Sequence, residues 1–214
     1  ALPAGAPTGT SAAWKTTDSA AEGLTIPAQV NYVGKGANLY KLGYQLNGSV
    51  LVTNNLLRTT WLWERVRVQG GAYGGFCLFD HRSGTFTFVS YRDPNLLGTL
   101  ETYDATAEFL RTLELSDDEV TKSIIGTIGD LDQYQLPDAK GYTSMLRYLA
   151  GDTEADRQRM RDEILSTTAK DMRAFAEMLE LVKTKGVVVV LGSEQSIEKA
   201  NLDTKLGLQV TKVL

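Results

Sequence analysis

One cysteine and one histidine in 214 residues exclude most of the familiar catalytic kits. Cys77 has no partner for an intrachain disulfide, so the fold does not depend on an oxidising compartment. An H-E-x-x-H or H-x-x-E-H zinc motif needs two histidines, and His81 stands alone, with no CxxC ligand set beside it. A serine triad would have to run through His81, and no G-x-S-x-G elbow accompanies it. Taken alone, the polypeptide is expected to bind no zinc. Long apolar runs are missing too: the longest, Val187 to Leu191, has strand length, far below the ~20 residues that span a bilayer. Positive charge is in deficit, with 22 Lys and Arg against 26 Asp and Glu and a net charge of −4. That balance argues against nucleic acid and against an anionic membrane as partners, since both need a basic footprint.

What is present is an ordinary globular composition, 43% apolar and 22% charged. A chain of this length buries roughly 70% of the surface its unfolded form exposes, enough for a core without staples. Residues 1–23 are rich in Ala, Gly, Ser, Thr and Pro and read as a linker or flexible arm, leaving 24–214 as one domain. There is no initiating methionine, which suggests a piece of something longer.

Alternation over Ile26 to Val33 predicts a half-buried strand. Tyr40 to Arg67, ending near Trp61 and Trp63, predicts a long helical segment whose β-branched residues leave burial to hold it. Tyr73 to Phe79, a polar turn from Asp80 to Gly84, and Thr85 to Tyr91 predict a β-hairpin with Phe86 and Phe88 on one face. His81 is then a solvated turn residue and Cys77 a small buried hydrophobe. Leu96, Leu100, Tyr103, Ala107 and Leu110 recur at helical spacing. Ser116 and Glu119 form an S-x-x-E capping box, which accounts for Asp117, Asp118 and Glu119 as cap and dipole partners rather than paired acid–base carboxylates. Pro137 and Gly141 break the pattern ahead of a shorter helix through Met145 and Leu149. Thr153-x-x-Asp156 and Thr168-x-x-Asp171 open two more, the last carrying Met172, Phe175, Leu179 and Val182 and stopping at Gly186. Val187 to Leu191 and Leu208 to Val213 return as strands. The expected class is α+β, an antiparallel or mixed sheet packed against a layer of helices, with no internal repeat.

The most unusual local feature is Gly70-Gly71-Ala72-Tyr73-Gly74-Gly75. It is no dinucleotide or P-loop cradle: G-x-G-x-x-G fits no register, and the order is helix then strand, so no helix N-terminus faces a ligand. Two readings stay open on the residues alone. One is a tight helix-to-strand turn; the other is a glycine-freed backbone that a ligand approaches closely, flanked by Arg67 and Tyr73.

The run Arg65-Val-Arg67-Val-Gln-Gly70-Gly71-Ala72-Tyr73-Gly74-Gly75, with Tyr91-Arg92-Asp93-Pro94-Asn95 beginning eighteen residues after Tyr73, resembles the C-terminal domain of the presequence proteases. These belong to the pitrilysin/insulin-degrading metallopeptidase family. The likeness runs from about Gln29 to Leu191. It implies a clam-shell enzyme of four related α+β domains that encloses short unfolded peptides, targeting peptides among them. Its zinc ligands and catalytic glutamate would lie in an N-terminal half with no counterpart here, and that half would be this chain's partner. The resemblance also implies that Arg67 and Tyr73 reach the substrate near the zinc, with Gly70, Gly71 and Ala72 as the loop that presents them. The compartment implied is the mitochondrial matrix or the chloroplast stroma. The alternative is a non-catalytic peptide-binding or scaffold subunit of the same fold, which has no need of Arg67 and Tyr73.

Overall fold

The computed structural model describes residues 20–204 and 206–213. Residues 1–19 of the expected arm lie outside the described residues, and its last part is not an arm. Strand β1 (Ala21–Thr25) sits inside the sheet, in parallel register with β5 (Val187–Gly192) on one side and β6 (Gln209–Lys212) on the other. The sequence Ala-Glu-Gly-Leu-Thr carries little strand propensity. The strand exists because it has neighbours on both sides, and because Gly23 lets a helix approach: a Cβ there would lie 2.6 Å from Ile197 Cγ2.

The expected strand over Ile26–Val33 is displaced. Pro27 has no N–H to give a ladder, and Ala28 donates back to the Ile26 carbonyl in a local turn. The strand proper is β2 (Tyr32–Asn38), antiparallel to both β5 and β4 (Thr85–Tyr91), and β4 pairs with β3 (Gly74–Asp80) in the expected hairpin. The result is a mixed sheet of order β3-β4-β2-β5-β1-β6, with helices on one face. Phe86, Phe88, Val33, Val188 and Val190 point into that face and are fully or almost fully buried, whereas Phe76, Leu78, Val187 and Val189 point away and are exposed. The α+β class is as expected.

The predicted long helix over Tyr40–Arg67 is three pieces: a 3-10 turn (Tyr40–Leu42), α1 (Ser49–Thr59) and a wide π-helical stretch (Trp63–Gln69). Then come α2 (Leu97–Thr112) and α3 (Asp117–Leu131), the latter opened by a complete Ser116/Glu119 capping box. Pro137 and Gly141 do not break a helix. Pro137 occupies the first turn of α4 (Pro137–Ala150), where its missing N–H costs nothing, and Gly141 faces open space inside it. Thr153 caps α5 (Glu154–Leu165). The final amphipathic pattern is two helices, α6 (Ala169–Ala174), capped by Thr168, and α7 (Ala176–Lys185), sharing one buried face through Met172, Phe175, Leu179 and Val182. A helix not foreseen, α8 (Glu194–Asp203), links β5 to β6.

Two polar devices cross the core. Lys35, on the buried face of β2, pairs with Asp104 of α2, and the Tyr103 hydroxyl donates to the Val33 carbonyl at 3.2 Å. α4 stands apart. None of its residues is buried, and Tyr142, Met145, Leu146, Tyr148 and Leu149 are exposed beside Tyr134 and Leu136.

Candidate functional site

The glycine loop joins a π-helix to an edge strand. Its hydrogen bonds reach back further than those of an α-helix: Gly70 N–H donates to the Arg65 carbonyl and Ala72 N–H to the Val66 carbonyl, at 3.0 and 3.1 Å. Such wide turns are rare and cluster at functional sites. Gly71 then takes φ 77°, a conformation that costs a residue with a side chain dearly. At Gly75 the first turn of β3 lies so near the helix that a Cβ would fall 2.8 Å from the Val66 side chain. The turn is therefore tight for packing reasons, and the N–H groups of Gly70, Gly71 and Ala72 are all spent inside it. Ala72 is buried as well. These three residues shape the loop and have no backbone N–H left to give a ligand.

Arg67 and Tyr73 differ from them. The Arg67 guanidinium lies 4.0 Å from the centroid of the Trp63 ring, one turn back, and has no hydrogen-bond or salt-bridge partner among the described residues. Arg65, by contrast, spends its guanidinium on Gln69 and packs over Trp61. Stacking on an indole restrains Arg67 without consuming its donors. Tyr73 is 68% exposed. Its ring meets Tyr91 edge-on at 5.8 Å, and Tyr91 meets Tyr32 in the same way at 5.5 Å. Its backbone N–H donates to the Tyr91 and Arg92 carbonyls at 3.1 and 3.4 Å. The hydroxyl finds no partner among the described residues. Two strong donor groups are thus held at the base and left uncommitted at the tip.

The Tyr91–Asn95 segment buttresses this loop. Arg92 has φ 49°, an unusual value for a residue with a side chain. Asp93 is fully buried, and its carboxylate accepts from the Asn95 N–H at 2.9 Å and from the Thr99 hydroxyl at 2.7 Å. Asp93 and Asn31 exchange backbone hydrogen bonds, and Asn31 Nδ2 adds a third to the Asp93 carbonyl. The Asn95 side chain reaches back to donate to the Gly70 carbonyl at 2.5 Å. Nothing in the composition or periodicity of the sequence assigns Trp63, Tyr91 or Asn95 to this site. The i, i+4 spacing of Trp63 and Arg67 was a usable signal; the junction of Asn95 with Gly70 was not, because it joins residues 25 apart.

Beside Tyr91 opens the uncovered face of the sheet. Phe76, Val89, Gly34 and Val189 follow one another across four strands in register. Phe76, Leu78, Val187 and Val189 leave this face apolar, with a floor lowered at Gly34.

For a metal the residues do not fit. His81 lies in the exposed hairpin turn, and Cys77 is buried, its thiol pushed up to about 12 by burial. No cluster of three or more His, Cys, Asp or Glu able to hold an ion occurs among the described residues. No described helix is long and apolar enough to cross a membrane.

Comparison with known proteins bears on family and fold. The family model described as the PreP C-terminal domain matches residues 21–194. Presequence protease 1, chloroplastic/mitochondrial, of Arabidopsis thaliana is 54% identical over 193 residues, which is 90% of this chain and 18% of that protein. The chain therefore spans about a fifth of that relative's length. Among solved structures, pitrilysin superposes with a TM-score of 0.57 at 10% identity, over 80% of this chain and 19% of its own. The peptidase M16 inactive domain from Pseudomonas fluorescens gives 0.57 at 17% identity, over 81% and 44%. At such identities the two structures establish a shared fold.

Proposed function

The chain belongs to the family of PreP C-terminal domains, and from that premise we propose that it is the substrate-binding part of a metallopeptidase that degrades targeting peptides and other short unfolded chains. The observation that carries the reading is the pair of uncommitted donors, the Arg67 guanidinium and the Tyr73 hydroxyl, on one braced loop beside an open apolar sheet face. A phenol O–H is a donor suited to the oxygen of a carbonyl under attack, where negative charge develops. A guanidinium fork suits a peptide carbonyl or a side-chain carboxylate. The open face offers apolar contact to an extended peptide without requiring a particular sequence. Neither Arg67 nor Tyr73 generates a nucleophile, so the attacking group comes from another part of the same polypeptide. Zinc, which the family resemblance implies for the complete enzyme, finds no ligand set among the described residues. By the name of its Arabidopsis relative, the compartment is a mitochondrion or a chloroplast, with the matrix or stroma as the site of action.

Arg67→Ala in the full-length enzyme tests the assignment. A hydrogen bond to a charged group is worth roughly 1.5–3 kcal/mol, so kcat/KM for peptides falls by about 10- to 150-fold. Because Arg67 is exposed and stacked only on Trp63, the thermal midpoint stays near wild type. Unchanged kcat/KM would favour the scaffold reading, in which the loop is a turn and nothing more.

The same reading supplies a use for α4. A helix of 14 residues with no buried residue is marginal by itself in water, since tertiary packing provides most helical stability. The remaining four-fifths of a relative's length provides the cover: the Tyr142, Met145, Leu149 side packs on another domain of the same polypeptide. Leu149→Cys in the native full-length enzyme should then resist a thiol reagent that modifies it readily after denaturation. Fast labelling of the native protein would refute the packing.

A further inference from the structure

Two glycines in succession separate the helix that carries Arg67 from Tyr73, and one of them sits at positive φ. A segment so permissive keeps a fixed shape only if something outside it holds it. The Tyr73 end is held, because its N–H is tied to the end of β4 through the Tyr91 and Arg92 carbonyls. The Gly70 end is the close of the π-helix, where carbonyls have run out of helical donors. There one side chain supplies the donor, Asn95, through Nδ2 to the Gly70 carbonyl.

Asn95 is placed for this task rather than for a local one. It stands one residue before Leu96, the N-cap position of α2, and α2 has no side-chain cap. Its own N–H is fixed by the buried Asp93 carboxylate, which also accepts from the Thr99 hydroxyl, while the Asp93 backbone exchanges hydrogen bonds with Asn31. A turn anchored on the buried Asp93 therefore projects one exposed amide toward the glycine loop. Pro94 braces the same loop: its Cγ lies 3.6 Å from where a Cβ on Gly71 would be.

We propose that Asn95 is a positioning residue for catalysis, and that its bond to the Gly70 carbonyl sets the placement of Arg67 relative to Tyr73. The proposal rests on the substrate-binding role of those two side chains. Asn95 touches no substrate; it acts through the loop.

The test is a double-mutant cycle in the full-length enzyme with a peptide substrate. Asn95→Ala removes the donor. Asn95→Asp keeps the shape but sets a carboxylate against a carbonyl. Both should lower kcat by about three- to tenfold, the range expected from one neutral hydrogen bond, with KM little changed and the thermal midpoint near wild type. In a Tyr73→Phe background, Asn95→Ala should cost little more, because both changes spoil the same contact. Wild-type kcat in either Asn95 variant would overturn the proposal. So would a full, independent loss on top of Tyr73→Phe, or a kcat loss that merely tracks a fall in thermal stability. Tyr73→Phe with wild-type kcat is a different failure: it removes the site reading itself, and the positioning role with it.

Discussion

Tyr73→Phe in the full-length enzyme is expected to lower turnover by about 10²- to 10³-fold, the loss seen when one preorganised oxyanion donor is removed. The substitution deletes a single oxygen. In the structure that oxygen has no partner among the described residues, and the ring keeps its edge-on contact with Tyr91. Nothing in the fold depends on it, so the thermal midpoint and KM should hardly move, and the loss should fall on kcat. That pattern separates a donor used in the transition state from a residue that binds substrate and transition state alike. Turnover within a few-fold of wild type would end the proposed role for Tyr73.

Asp104→Ala is the largest stability effect expected. Lys35 sits on the buried face of β2 with its side chain 7% exposed, and Asp104 is its ion-pair partner. Removing the carboxylate strands an ammonium in the interior, for which truncation of buried pairs costs about 3–5 kcal/mol. The Asp104 side chain keeps 34% of its exposure, so water can partly replace it and the lower end, about 3 kcal/mol, applies. A urea midpoint reports it. Replacing both partners, as Lys35→Met with Asp104→Leu, should recover most of the loss, because no charge is then left unpaired. A single variant as stable as wild type would mean that the pair contributes nothing.

The second prediction depends on a contact that the sequence does not show. Lys35 lies just beyond the strand that alternation predicts over Ile26 to Val33, and nothing local marks it as inward-facing. Its burial follows from β2 being flanked by β4 and β5, which fixes alternate residues toward the helices. The hairpin, the Ser116 capping box and the helix over Leu97–Thr112 were legible because each is set by residues within a few positions of one another. The start of α4 is also set locally, by Pro137 in its first turn. Proline and glycine were read as breakers, although a first-turn proline is compatible with a helix.

The sequence by itself determined the class of fold, the lack of a two-histidine zinc motif or a G-x-S-x-G elbow in these 214 residues, and the two motifs that carry the family likeness. These are matters of composition, of short-range periodicity and of residue types at fixed spacing. The position of β1 between two parallel neighbours, the π-helical turn that sets Arg67 on Trp63, and the bond from Asn95 to Gly70 were decided only in three dimensions. β1 has weak propensity and is a strand because β5 and β6 supply its ladder. The loop has two glycines and is held because the turn that follows β4, anchored on the buried Asp93, closes on it. Long-range partners overrule local preference wherever local preference is weak, and at this loop it is weakest.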